Sequence, residues 1–367
     1  MKIVCSRSDL QKAIAISMRA VPVHTTMPIL ECIMIVAESD GIHFISNDTE
    51  LGIETVVPGS IVEKGRVAIQ ARMLSDMIRK LPDNEVIISV DESKMVKVVC
   101  ERANFQLAGL GGEDFTYLPV VEKEDFISIS QYTLKDVIQK TIFSIAVNEN
   151  NRVLSGELFR VRGDEFQVVS LDGHRISIRN TALKEVYSEK KVIVPGKTLS
   201  EISKILGDDA EENVNIYFAA NHIVFEMKDT TIVSRLIDGE FFRIENMLSS
   251  DYETKIRVGR RELLAAIDRS TLFVRENDKK PIIFNVTDGY MQLSIDSQIG
   301  SMQEEIDVDK EGKDIMIGFN PRFMMDALRA IEEETVTLYL VNPKAPCFIR
   351  NDTEDYIYII LPVNFIR

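Results

Sequence analysis

The stretch VIVPGKTLSEISKILGDDAEENVNIYF, residues 192–218, reads as a strand, a turn, a helix, a polar loop and a second strand. Leu199, Ile202, Ile205 and Leu206 recur at helical spacing and make one apolar face, while Lys197 and Lys204 lie off it. Two further stretches repeat the pattern: RVAIQARMLSDMIRKLPDNEVIISV at 66–90 and KDIMIGFNPRFMMDALRAIEEETVTLYL at 313–340. Helix starts near 71, 196 and 320 stand 125 and 124 residues apart, a period that predicts one domain written three times.

Working outward, each third opens the same way. Met1–Cys5 leads into a helix over 7–21, Phe126–Ser130 into one over 131–147, and Lys255–Val258 into one over 260–275. Leu10, Ile14 and Met18 carry the apolar stripe of the first of these, and Leu264, Ile267 and Leu272 that of the third. A pair of strands follows, turning at Ser39-Asp40-Gly41, at Arg162-Gly163-Asp164 and at Asp288-Gly289. The predicted domains are 1–124, 125–252 and 253–367, with polar joints near 123–126 and 250–254. Two helices against antiparallel strands make each an α+β unit, with the helices on one face of the sheet.

Composition narrows the function. No run reaches the roughly 18 apolar residues that a membrane helix needs, and the N-terminal residues lack a secretory pattern. Cys5, Cys32, Cys100 and Cys347 are scattered with no CxxC, which fits reduced thiols in the cytoplasm. The net charge of −15 argues against nucleic acid, because phosphate binding depends on Lys and Arg. The distribution reverses that argument. Six helices over 7–21, 71–81, 131–147, 196–206, 260–275 and 320–330 hold 16 Lys or Arg against 7 Asp or Glu, leaving −24 on the remainder. A basic surface inside an acidic shell draws a polyanion to one place, and contacts to phosphate alone permit sliding.

The chain resembles one family closely, the bacterial sliding clamps, the beta subunit of the replicative DNA polymerase. The matching residues span it: Thr26-Met27-Pro28-Ile29-Leu30, Asn47-Asp48-Thr49-Glu50, Ser170-Leu171-Asp172-Gly173-His174-Arg175 and Val192-Ile193-Val194-Pro195 in the first half. Then come Arg235-Leu236-Ile237-Asp238-Gly239 with Phe241, Ile317-Gly318-Phe319-Asn320 and Ile359-Ile360-Leu361-Pro362. The resemblance implies a DNA clamp fold, two chains joined head to tail as a ring of six domains, and helices lining a hole for duplex DNA. It implies no catalysis and no cofactor or metal; a tether raises the polymerase's effective concentration at its template.

On the DNA side, the resemblance puts a phosphate contact at Arg72 and another near position 24, where this chain has His24. Helix location adds Arg19, Lys80, Lys140, Lys197, Lys204, Arg269 and Arg322, and the loop Asn148–Arg152 adds Asn150 and Arg152. The family's second site is a groove for linear peptides of the polymerase III alpha subunit, the clamp loader delta subunit and other polymerases and repair proteins. The matching positions are Leu154, Leu171, Gly173, His174, Arg175 and Ile176, then Phe242 (commonly proline in the family) and Met247, then Asn320, Phe323, Ile359, Leu361, Pro362 and Val363. For the homodimer contact, the strand Glu101–Ala108 alternates, with Phe105 and Leu107 on one face, and an exposed edge needs a partner or a covering loop. The family pairs it with the other chain, where Leu272 and Phe273 supply the apolar contact and Glu304 and Glu305 face Arg102.

Two other readings stand beside this one. An enzyme would use Asp172 and His174 for acid–base work, although no nucleophile motif accompanies them. A repeat-built protein scaffold would bind no DNA, and neither alternative predicts the charge reversal. Gly109, Gly111 and Gly112 form no phosphate-binding pattern.

Overall fold

The computed structural model describes residues 1–365, apart from 114, 117, 118, 120, 148–150, 249–250 and 275–279. Six helices are present among them: α1 (Arg7–Ser17), α2 (Ala71–Lys80), α3 (Gln131–Gln139), α4 (Gly196–Ile205), α5 (Arg260–Ser270) and α6 (Pro321–Ala330). The chain packs as two compact units, Met1–Tyr132 with Lys204–Leu236 and Thr133–Ser203 with Ile237–Arg367. The central third is thus shared out, and α3 and α4 each straddle the division.

The first unit holds two antiparallel sheets. Five strands run in the order Ser60–Glu63, Lys2–Ser6, Glu85–Val90, Met95–Cys100, Ala103–Ala108. Eight run from Phe126–Ser130 through Asn213–Phe218, His222–Glu226, Thr230–Arg235, Leu51–Val57, Gly41–Asn47 and Cys32–Glu38 to Gly65–Gln70. In the larger sheet, strands of successive sequence repeats pair directly, Thr230 opposite Thr55 and Ser234 opposite Leu51. The apolar stripe of α1 (Leu10, Ala13, Ile14) and that of α2 (Leu74, Met77, Ile78) close over Ile3, Ile35, Phe44, Ile69 and Val86. Burying a Leu or Ile completely is worth about 1.5–3 kcal/mol, so this face fixes both helices and turns their charged residues away from the sheet.

The second unit has one ten-stranded sheet: Gly156–Leu171, Arg175–Pro195, Tyr356–Ile360, Cys347–Arg350, Thr335–Leu340, Thr254–Gly259, Gly300–Gly312, Tyr290–Ser297, Ile282–Val286, Ile315–Phe319. Here too the repeats join strand to strand, Arg175 opposite Ile360 and Arg179 opposite Tyr356. Leu263, Ala266 and Ile267 of α5 and Met324, Ala327 and Leu328 of α6 pack on Ile256, Phe284, Ile317 and Leu338. A second cluster gathers Leu158, Leu171, Ile176, Phe241, Ile244 and Ile359.

One local device recurs at all three helix starts. The first backbone N–H of α1, α3 and α5 donates to a carbonyl in the loop after the following helix: Arg7 to Asn84 (3.0 Å), Gln131 to Glu212 (2.8 Å) and Arg260 to Glu334 (2.8 Å). The side chains of the same three residues tie down the ends of α2, α4 and α6. Arg7 donates to the Ile78 and Arg79 carbonyls (3.3 and 2.9 Å), and Arg260 to the Leu328 and Glu333 carbonyls (3.2 and 2.9 Å). Gln131 accepts from the Gly207 N–H at 2.8 Å. Late helix carbonyls have no partner within the helix, and a guanidinium suits the negative dipole end.

The structure departs from the sequence reading in two places. Residues 162–164 make no turn: Gly156–Leu171 is one strand, and Gly163 (φ +65°) sits at a bulge in its pairing with Arg175–Pro195. The hairpin turns instead at Asp172-Gly173-His174, with Gly173 at φ +83°. The first helices of the repeats also stop early. α1 and α5 pass into short 3-10 turns at Met18–Ala20 and Thr271–Phe273, and α3 ends at Gln139, before a 3-10 turn at Ile142–Ser144.

Candidate functional site

With the observed boundaries, the helices hold 13 Lys or Arg and 7 Asp or Glu. The surplus survives on five of them; α3 is balanced, Lys135 against Asp136. Arg19, His24, Arg72, Lys80, Arg152, Lys197, Lys204 and Arg322 are exposed. Asn150 lies outside the described residues, as do its neighbours Asn148 and Glu149. Two expected phosphate contacts have acidic partners within the chain. Lys140 lies between Asp136 (2.5 Å) and Glu332 (2.8 Å), with only 14% of its side chain exposed. It lines a cavity of about 420 Å³ together with Arg179, Asp355 and Tyr356. Arg269 forks onto Glu304, Nε to Oε2 at 2.8 Å with Nη2 on Oε1, and the pair holds the Glu304 carboxyl below its usual range.

That pair also redraws the expected subunit contact, since Glu304 is occupied by a residue of its own chain. Glu305 accepts from Gln292 at 3.1 Å. Arg102 lies in the turn before the strand Ala103–Ala108, which among the described residues pairs only with Met95–Cys100 and is the edge of its sheet. Phe105 is exposed there, while Leu107 leans onto the core. Residues 300–307 bond to Tyr290–Ser297 on one side, and the same strand reaches Thr254–Val258 only from Val308 onward. A second edge therefore stands unpaired among the described residues, with Glu304 and Glu305 on it. Leu272 is 75% exposed, and Phe273 packs over Gly300, where a Cβ would come within 2.8 Å of its ring.

The residues expected to line a peptide groove divide into a buried set and an exposed set. Leu154, Leu171, Ile176 and Ile359 are buried members of one apolar cluster rather than exposed surface. Phe241 and Ile244 join that cluster, which leaves Phe242 and Met247 exposed at 44% and 48% on the same segment. Leu361, just past the strand that carries Ile359, is 40% exposed. Its N–H donates to the His174 carbonyl (2.9 Å), and the Val363 N–H to the Gly318 carbonyl (2.8 Å), with Pro362 between them. These bonds seat the tail beside the Asp172–His174 turn and ahead of α6. Asn320 caps α6, its Oδ1 accepting from Arg322 N–H at 2.9 Å, and Pro321 opens the helix where its missing N–H costs nothing.

Arg175 ties this region together. It donates to Asp172 (3.0 Å), to Asp326 (2.6 Å) and to the Phe143 carbonyl, and its guanidinium lies 4.3 Å from the Phe323 ring centre. The His174 ring stacks on Phe323 at 6.2 Å. Asp172 is consumed by the turn, accepting from the His174 and Arg175 N–H groups at 2.9 and 3.0 Å. A carboxylate used in this way orients no imidazole, so the acid–base reading loses its second member. Among the described residues no cluster of three or more His, Cys, Asp and Glu is placed to hold a metal ion, and no helix is long and apolar enough to cross a membrane. All four thiols are buried, and burial pushes Cys5 up to about 12 and Cys32 to about 11.

Sequence reading missed Asp326 and Phe143, which hold Arg175, and it missed Arg160 and Glu245. Arg160 alone carried a signal, a charge within the apolar run of the strand Gly156–Leu171.

Comparison with known proteins agrees along the whole chain. Family models match in three pieces: DNA polymerase III beta subunit, N-terminal domain, over residues 1–119; central domain, over 128–242; and C-terminal domain, over 245–364. A beta sliding clamp of Staphylococcus aureus is 32% identical over 358 residues, 95% of each chain. Among solved structures, a putative DNA polymerase III beta subunit from Eubacterium rectale is 57% identical with a TM-score of 0.96, and the DNA polymerase sliding clamp of Bacillus subtilis is 31% identical, also at 0.96. Each of those two covers 100% of both chains.

Proposed function

As a member of the DNA polymerase III beta subunit family, the chain is a DNA sliding clamp, a non-catalytic processivity factor, and we propose that two copies close head to tail into a ring. Each copy supplies three like domains, 1–124, 125–252 and 253–367. The recurring tie at the three helix starts supports that division. The ring closes where the edge at Ala103–Ala108 meets the edge at residues 300–307, with Phe105 and Leu272 as apolar contacts. Backbone pairing between two bare edges satisfies groups that would otherwise invite aggregation.

DNA is held without sequence reading. Arg72, Lys80, Lys197, Lys204 and Arg322, together with Arg19, His24 and Arg152, face phosphate, while Lys140 and Arg269 serve as internal struts. The observation that carries the assignment is the positive surplus on helices of an acidic protein, its residues turned away from the sheets. The peptide groove is built on Leu171, Ile176 and Ile359 and rimmed by Phe242, Met247 and Leu361. It takes an apolar linear segment from the polymerase alpha subunit, the loader delta subunit or other polymerases and repair proteins. The protein works in the cytoplasm, at the replication fork.

The test is primer extension on a long circular template with polymerase and clamp loader. Product length should rise from short fragments to full circles when the protein is added, and the protein should stay on closed circular DNA and slide off linear DNA. Unchanged product length with active partners refutes the assignment.

A further inference from the structure

Arg160 is 8% exposed in the middle of the strand Gly156–Leu171, where a charge is costly unless paired. Its Nη1 donates to Glu245 and its Nη2 to Gln167. Gln167 continues to Asn180 (2.8 Å), whose side chain donates to the Glu354 carbonyl (2.8 Å) and whose backbone N–H donates to Asp355 (2.9 Å). The chain of bonds therefore runs from Glu245 across the strands to the turn just before Tyr356–Ile360. That strand runs on into Leu361-Pro362-Val363, so the bonds tie Glu245 to the near end of the strand whose far end carries the tail.

Among the described residues, the Ile244–Met247 turn is anchored by Ile244 in the apolar cluster and by Glu245 on Arg160. Its N-cap residue, Arg243, makes no side-chain capping bond. An apolar contact alone leaves rotation open, whereas a charge-assisted bond sets direction. Arg160 keeps the Glu245 carboxyl below its usual range, which marks the ionised pair as the favoured state.

We propose that Arg160 is a positioning residue for peptide capture: gripping Glu245, it holds the turn so that Phe242, Met247 and Leu248 stay presented to an incoming apolar segment. The inference rests on the groove reading above. A turn that samples other orientations binds with an affinity reduced by the competent fraction. Loss of the grip is therefore read in affinity even where the fold persists.

The test compares wild type with Arg160→Met, Glu245→Ala and the double variant. Methionine keeps the buried aliphatic bulk without the charge. The probe is a fluorescein-labelled peptide from the C-terminus of the polymerase III alpha subunit, followed by anisotropy, with thermal melts in parallel. Each single variant should weaken binding about fivefold or more, and the double variant should be no weaker than the worse single one, because both break one link. A purely structural role would lower Tm and leave the Kd of the folded protein alone. A Kd within twofold of wild type in folded Glu245→Ala, or singles that simply add, overturns the proposal. Glu245→Ala decides the matter if Arg160→Met does not fold. If wild type itself fails to bind, the groove reading falls and takes this inference with it, an outcome distinct from normal binding in every variant.

Discussion

Glu157 offers the sharpest test of the interior. It lies fully buried in the strand Gly156–Leu171, and neither carboxylate oxygen has a hydrogen-bond partner among the described residues. The neighbouring Thr141 hydroxyl is directed at the Val137 and Ile138 carbonyls, 2.8 and 3.3 Å away. Burial pushes the carboxyl from 4.5 up to about 8, with Thr141 pulling weakly the other way. The folded state therefore holds a proton that the unfolded chain gives up near 4.5. Stability is fully present below that value, falls by about 1.4 kcal/mol per pH unit as pH rises, and levels off above about 8, a loss of at most ~5 kcal/mol. Glu157→Gln keeps the shape and removes the titration. With no tryptophan in the chain, urea unfolding is followed by far-ultraviolet circular dichroism at pH 5, 6, 7, 8 and 9. The variant's advantage should grow across the series by several kcal/mol and then flatten. A difference that stays constant from pH 5 to 9 refutes the idea that this carboxyl is buried neutral.

Leu361→Ala with Met247→Ala should weaken the alpha-subunit peptide about 10- to 100-fold by anisotropy, with little change in Tm, since neither side chain belongs to the buried core. Arg7→Ala and Arg260→Ala should each cost ~2 kcal/mol in denaturant unfolding, because each strips two carbonyls at or just past a helix end of a charged donor; a cost below about 0.5 kcal/mol contradicts the tie. Arg72→Ala with Arg322→Ala should shorten the lifetime on closed circular DNA at low salt, whereas Lys140→Ala should leave it unaltered. Phe105→Asp should shift the assembly from dimer to monomer by sedimentation velocity, and an unchanged dimer would place the closure elsewhere.

The repeat and its helices were legible in the sequence because the apolar stripes of α2, α4 and α6 are short, amphipathic and bounded by turn residues. The long hairpin was not legible. Arg162-Gly163-Asp164 has turn composition, but tertiary pairing with Arg175–Pro195 overrides local preference and absorbs Gly163 as a bulge. At the site, residue types pointed to the right neighbourhoods and not to their partners. Arg269 and Glu304 are 35 residues apart in sequence and Lys140 and Glu332 are 192 apart, and no periodicity announces such pairs. The same limit hid Glu157, whose burial follows from the strand register and leaves no mark in composition.

Strands from successive sequence repeats zip together, Thr230–Ser234 onto Leu51–Thr55 and Arg175–Arg179 onto Tyr356–Ile360. Cutting the gene at residues 124 and 252 would therefore yield sticky fragments, the outer two each stripped of five residues' worth of pairing and the central one of both seams, and insoluble unless expressed together. The seams inside one polypeptide are thus the hard ones to tear. In the proposed ring, a gate wide enough to admit a duplex would give way first where two molecules meet.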